Sequence, residues 1–135
     1  MAAQKAGFHI RVPFVEHLGM RILEKGEGMV RLQLDPRPEL ENSWGSVHGG
    51  VLMTLLDVAL ASAGRSLDEK CNGALTVEMK VNFIAAATGR VLGEGRAQRA
   101  GRSLIFSEGE LRSEDGTLLA KATGTFKLLY PKLET

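Results

Sequence analysis

The chain has 135 residues, 44% hydrophobic and 24% charged, with a formal net charge of +1 at neutral pH. That balance gives no electrostatic ground for nucleic acid or an anionic membrane as main partner, no apolar run reaches membrane-spanning length, and a single cysteine, Cys71, rules out an internal disulfide and a cysteine-built metal site. Residues 1–135 are expected to form one domain with its own core, and residues 1–10 lack the apolar stretch of a signal peptide, which makes the cytoplasm the default location.

Pro13 to Leu18 predicts a short helix or turn ending at Gly19. Met20–Leu23 and Met29–Leu34 predict two strands joined around Lys25-Gly26-Glu27-Gly28, a hairpin signal. Asp35-Pro36-Arg37-Pro38 stops the second strand, because proline cannot continue a ladder. A polar, glycine-rich loop, Asn42 to Gly50, opens into a helix expected from about Gly49 to about Ser66. That helix is apolar on nearly every side and is therefore expected to be buried. Leu75, Val77, Met79, Val81 and Phe83 alternate with polar residues, the period of a half-buried strand. Val91–Gln98 is a weaker strand signal. The last two strands, Leu104–Arg112 and Thr117–Leu129, flank Glu114-Asp115-Gly116, a strong turn signal. In the final strand Leu118, Ala120, Ala122, Gly124, Phe126 and Leu128 share a face whose small centre leaves room for a helix. One antiparallel sheet curled around one central helix buries these faces together, and its edge strands invite pairing with a second copy.

The chemistry concentrates at the loop and helix. Gly49 and Gly50 fall where the first helical N–H groups lack intrahelical partners. Glycine permits close approach to those donors, and the helix dipole adds to them, so the site suits a carbonyl oxygen becoming an oxyanion. His48 could add a donor or orient a substrate, and Asn42, both donor and acceptor, could position a water or a carbonyl. Asp57 is the one carboxylate within the apolar helix. A carboxylate there must be hydrogen-bonded, paired or used, and it could serve as general base or nucleophile. Asp57 follows His48 by nine positions, on the order of 13 Å along the axis and roughly opposite in azimuth. One helix therefore cannot bring both to one small substrate atom, whereas two antiparallel copies can, and a dimer with shared sites is the economical solution.

The pattern Asn42-x-x-Gly45-x-x-His48-Gly49-Gly50 with Asp57 in the helix resembles the hotdog-fold acyl-CoA thioesterases, in particular their phenylacetate-degradation (PaaI-like) branch. Thr76 to Phe83 looks like that family's strand after the helix, and Ala100-Gly101-Arg102-Ser103, Asp115-Gly116 and Ala120 to Phe126 resemble its closing hairpin. The likeness covers roughly Phe14 to Leu129. It implies an α+β hotdog fold, five to six antiparallel strands around a long helix, assembled as a dimer and often as a dimer of dimers. It implies an acyl-CoA substrate hydrolysed without metal or organic cofactor, coenzyme A being part of the substrate. The Gly49 N–H would polarise the thioester carbonyl, Asn42 would hold water or substrate, and Asp57 would be base or nucleophile. Thr76 matches a position where relatives carry Ser or Thr near the attacking water, yet strict alternation points it away from the helix unless a bulge re-aims it. Where relatives often carry proline after this strand, the chain has Ala85-Ala86-Ala87.

Each residue also has a structural reading. Asp57 could bond a partner's backbone, and His48 could cap the helix. Arg96, Arg99 and Arg102 could hold coenzyme A phosphates or form a solvated strand face. Trp44 could wall the acyl pocket or anchor a dimer. His9 and His17 lack metal-ligand spacing and read as surface residues. No phosphate-binding loop and no Gly-x-Ser-x-Gly elbow occurs. Two other functions compete: a hotdog hydratase or dehydratase, which needs a His and carboxylate pair for proton transfer at carbon, and a non-catalytic acyl-CoA-binding module.

Overall fold

The computed structural model describes residues 11–132; His9 and the rest of residues 1–10 lie outside the described residues. The helix α1 (Pro13–Leu18) starts with proline in its first turn and ends at Gly19, whose φ of 80° is the left-handed stop that glycine adopts without cost. Strands β1 (Arg21–Gly26) and β2 (Met29–Leu34) form the expected hairpin. Its two central residues, Glu27 and Gly28, both have positive φ, as a tight hairpin turn matched to strand twist requires. A single 3-10 turn at Pro38–Leu40 leads to the loop and to α2 (Gly49–Arg65). Strands β3 (Gly73–Phe83), β4 (Val91–Arg99), β5 (Leu104–Ser113) and β6 (Leu118–Leu129) follow.

All six strands form one antiparallel sheet in the order β1-β2-β4-β5-β6-β3. The sheet curls around α2, whose Leu52, Leu55, Leu56, Ala59, Leu60 and Ala63 are buried among Leu32, Ile105, Leu111 and Phe126. The predicted inward face of β6 holds, since Ala120, Ala122, Phe126 and Leu128 are all buried. Helix and sheet touch backbone to backbone at β4: a Cβ added to Gly95 would lie 2.5 Å from the carbonyl oxygen of Ala59.

Two expectations need correction. The helix is not buried on every side, because one stripe of α2 that includes Met53, Thr54, Asp57, Val58 and Ala61 stays partly exposed within the single chain. The reason is that the sheet's edges, β1 with α1 on one side and β3 with β6 on the other, approach across α2 without closing. The slot between them, about 570 Å³, has Asp57, Val58, Ala61 and Arg65 on its helical wall. The predicted inward face of β3 is also only half right. Thr76 pairs with Phe126 and Glu78 with Thr125, so Val77 is an extra residue in a bulge. Downstream of it Met79 and Val81 pack on the core. Upstream the phase is reversed, Ala74 packs on the core, and Leu75 and Val77 are left exposed at 55% and 57%.

Candidate active site

The loop before α2 is built by its own polar groups. The Asn42 side-chain oxygen accepts from the Trp44 amide at 2.9 Å and the Ser46 amide at 3.2 Å, and the Asn42 amide donates to the Ser46 carbonyl at 2.8 Å. This is an Asx turn, in which a side chain replaces a backbone partner. Gly45 completes it with a φ of 80°. The Val47 amide donates to the Ala87 carbonyl and the His48 amide to that of Leu40, each at 2.8 Å. The unusual Ala85-Ala86-Ala87 segment therefore backs the loop, a role that no local sequence signal announces. With its oxygen occupied, Asn42 keeps only its amide N–H groups for a substrate or water.

His48 is the N-cap of α2. Its Nδ1 accepts from the Gly50 amide at 2.8 Å, so the ring proton of the neutral form sits on Nε2. The same bond commits the Gly50 N–H internally. A Cβ at Gly50 would meet His48 Nδ1 at 3.0 Å, so glycine here makes room for the cap. The Gly49 N–H makes no hydrogen bond among the described residues and remains a free donor at the positive end of the dipole. The ring of Phe83, at the end of β3, lies 3.5 Å from where a Gly49 side chain would begin and shields one side of that donor. Trp44 is 88% exposed at the loop tip.

Asp57 lies two turns along α2, on the wall of the slot. Thr76 Oγ1 donates to Asp57 Oδ1 at 2.7 Å. The bulge at Val77 is what turns Thr76 toward α2, so the side chain that alternation sends outward becomes the partner of the carboxylate. Within one chain Gly49 and Asp57 stay roughly 12 Å apart along the axis, and the structure does not bring them to one point. Glu78, the neighbouring carboxylate, instead accepts from Thr125 Oγ1 at 3.0 Å on the outer face of the sheet.

The arginines divide. Arg96 pairs with Glu108 at 3.4 Å across the strands. Arg99 Nη2 donates to Asp68 at 3.1 Å, to the Tyr130 hydroxyl at 2.5 Å and to the Arg102 carbonyl at 2.6 Å, while Tyr130 donates to Asp68 at 2.7 Å. Hydrogen bonds from the Lys70 amide, Tyr130 and Arg99 hold the Asp68 carboxyl below its ordinary range. This cluster ties the segment after α2 to β4 and to the end of β6, at the opposite end of the helix from Gly49. The Arg102 side chain is exposed beside it. His17 is exposed too, as expected. No helix of the described residues is long and apolar enough to cross a membrane.

The slot's far end holds Lys25 and Arg65, which the sequence did not single out. Burial, and next the Arg65 charge, push Lys25 down from 10.5 to about 8. The unfolded chain thus keeps a proton between about 8 and 10.5 that the folded chain has released, so Lys25 makes stability rise with pH across that window, and its cost is fully present below it. Lys25→Met is expected to remove this rise. Denaturant unfolding at about pH 7 and about pH 9.5 checks it, and an unchanged pH slope in the variant would refute the assignment.

A six-stranded antiparallel sheet wrapped around one long helix, with a glycine-rich loop at the helix start and a carboxylate within it, is a hotdog fold. Residues 45–120 match the family model of the thioesterase superfamily, and the chain belongs to that superfamily. Among similar proteins, a Saccharolobus solfataricus protein described as a candidate esterase is 31% identical over 83% of this chain and 79% of its own length. The medium/long-chain acyl-CoA thioesterase YigI of Salmonella typhimurium is 25% identical over 88% and 87%. A conserved Pseudomonas aeruginosa protein superposes with a TM-score of 0.82 at 33% identity, covering 88% of this chain and 95% of that one. The PaaI protein of Escherichia coli shares the fold, with a TM-score of 0.82 at 18% identity over 92% and 89% of the two chains.

Proposed function

We propose that the protein hydrolyses acyl-coenzyme A thioesters, in an active site shared by two copies of the chain. The observation that carries this reading is the Asp57 carboxylate, held by Thr76 on the wall of an open, largely apolar slot. A thioester carbonyl at the Gly49 N–H of one copy faces Asp57 of the other. Asp57 takes a proton from water as the water oxygen bonds to the carbonyl carbon, and the Gly49 amide stabilises the oxyanion. The intermediate collapses to the free acid, the carbon–sulfur bond breaks, and the thiolate of coenzyme A recovers the proton. Asp57 as nucleophile, through an anhydride, is the variant of the same scheme. The His48 ring favours hydrolysis over hydration of a double bond, since its Nδ1 is taken up by the cap and does not exchange a proton with a substrate. Release of free coenzyme A across short, medium, long and aromatic acyl-CoAs tests the reading, and no release from any of them would refute it. Trp44, Asn42 through its amide and Arg102 are the further contacts we assign to substrate. Arg99 we place second, because its present bonds to Asp68 and Tyr130 must yield first.

A dimer is supported by the separation of Gly49 from Asp57 and by the free edge of β3, where Leu75, Val77, Phe83 and Ile84 are all more than half exposed. Light scattering should give at least a dimer. Mixing Asp57→Ala chains with Asn42→Ala chains should restore activity, because one of the two sites in a mixed dimer collects both defects, one from each chain, and the other is intact. Two inactive parents that stay inactive after exchange would mean self-contained sites.

A further inference from the structure

Ser62 stands apart from the other hydroxyls of α2 and its cap. Thr54 Oγ1 donates to the Gly50 carbonyl at 2.8 Å, and Ser66 Oγ to that of Ala63 at 2.7 Å. Ser62 is 6% exposed, yet its hydroxyl makes no hydrogen bond among the described residues. A polar group so placed calls for a partner, and the opening that Ser62 lines is the slot that begins at Asp57. Asn72, just before β3, lines the same slot. Its backbone amide donates to the Leu129 carbonyl at 2.8 Å, while its side chain makes no hydrogen bond among the described residues. The slot's two cations are set apart from this pair, since Lys25 has a partner of its own and Arg65 Nε is enclosed. β3 runs antiparallel to α2: Thr76 meets Asp57 and Phe83 meets Gly49, so seven strand positions cover the stretch of eight helical ones. Asn72, four residues before Thr76, therefore comes level with Ala61 and Ser62. Five positions turn Ser62 roughly 140° from Asp57 and carry it roughly 7.5 Å along the axis, so it faces away from β3. The slot thus offers a hydroxyl on one side and a carboxamide on the other. We propose that this pair receives the second amide of the pantetheine arm, the one farther from sulfur, and that the slot is the channel for the arm of coenzyme A and not for the acyl chain. The inference rests on the thioesterase reading of the same site.

The chemistry and the length both fit. A trans amide in an extended chain points its C=O and its N–H to opposite sides. Ser62 and Asn72, each both donor and acceptor, stand on opposite sides to meet them. An extended chain advances about 1.2 Å per bond, which puts the second amide nitrogen roughly 8 to 9 Å from sulfur, at the depth of Ser62. The first amide, roughly 4 Å from sulfur, falls short of that depth. A plain acyl chain carries no polar group there and would leave the Ser62 hydroxyl unsatisfied. The onward course agrees as well. Asn72 and Leu129 bound the slot's end, Tyr130 follows directly, and Arg99 bridges the Tyr130 hydroxyl and the Arg102 carbonyl. The first phosphate of coenzyme A, on the order of 16 Å from sulfur, would emerge on that side, where we assign Arg102 to substrate.

The test is a ladder of carriers bearing one acyl group: N-acetylcysteamine, which has only the first amide, pantetheine, which has both, and coenzyme A. In the native protein kcat/KM should rise from the first carrier to the second. Ser62→Ala is expected to lower kcat/KM about three- to tenfold on the pantetheine and coenzyme A thioesters alike, the worth of one neutral hydrogen bond, mainly through KM. The N-acetylcysteamine thioester should be spared. Asn72→Leu should act in the same way and Asn72→Gln recover part of the loss, and Asn72 is exposed, so these variants leave the core untouched. The loss should be equal for short and long acyl groups. A loss that falls on all three carriers, or that grows with acyl length, makes the pair structural or the slot an acyl pocket. The proposal then falls while the thioesterase reading stands. It falls also if neither variant loses activity on any carrier, or if the loss is confined to coenzyme A thioesters, which would place a nucleotide phosphate here. No hydrolysis of any thioester by the native protein overturns both.

Discussion

Asp57→Asn is expected to lower kcat at least roughly 10²-fold, the lower end of general-base contributions, with little change in KM. The carboxamide keeps the shape of the carboxylate, and its oxygen can still accept from Thr76 Oγ1, which lies 2.7 Å away in the native chain. What disappears is the negative charge and the ability to take a proton from water or to attack carbon. The melting temperature and oligomeric state should stay near native, because Asp57 is half-buried and makes no ion pair among the described residues. Thr76→Val keeps the base and removes only its orientation, so its loss should be nearer tenfold. Steady-state kinetics on the best acyl-CoA decides. If folded Asp57→Asn turns over at near the native rate, Asp57 is a structural carboxylate. Glu78 is then a poor replacement, since it lies on the outer face of the sheet.

Gly95→Ala is expected to be the most damaging small change to the fold. Its Cβ would sit 2.5 Å from the carbonyl oxygen and 2.8 Å from the carbonyl carbon of Ala59, and both are helix backbone atoms that cannot swing aside. Either α2 lifts off β4 or β4 bows outward, and in both cases contacts are lost along the core. A cost of about 3 kcal/mol or more follows from forced overpacking at a rigid contact. Gly101→Ala is the control: nothing lies within 4 Å of its Cβ and its φ is not in the left-handed region, so it should be neutral or slightly stabilising. Urea unfolding of the two variants should separate them clearly. A Gly95→Ala protein within about 0.5 kcal/mol of native would mean that helix and sheet are not locked at this point.

The course of the chain was legible because its signals are local. The αL glycine after α1, the two-residue turn at Glu27 and Gly28, the Asp115-Gly116 turn and the period change after α2 each depend on a few neighbouring residues, and each element stands within a few residues of its expected place. The loop and helix start were legible for the same reason, since N-terminal donors follow from position alone. Thr76 was legible by type and not by direction. Its direction depends on the bulge at Val77, and a bulge is set by pairing with β6, some fifty residues away. The Asp68, Arg99 and Tyr130 cluster is joined across 31 residues on each side, so the arginine run could not be resolved into bound and free members by inspection. The slot was hidden most deeply, because Lys25, Asp57, Arg65 and Leu129 meet only once the sheet has curled.

The same bulge also bears on solubility. An unpaired edge strand of 11 residues with exposed Leu75, Val77 and Phe83 is a template on which strands from other chains can stack without limit. The extra residue at Val77 breaks the row of edge donors and acceptors near its middle and kinks the strand. An incoming strand that follows Glu78 to Phe83 cannot continue past Val77 in the same register. Growth therefore stops after one short pairing, and the rim can stay open to a single matched partner without seeding fibres.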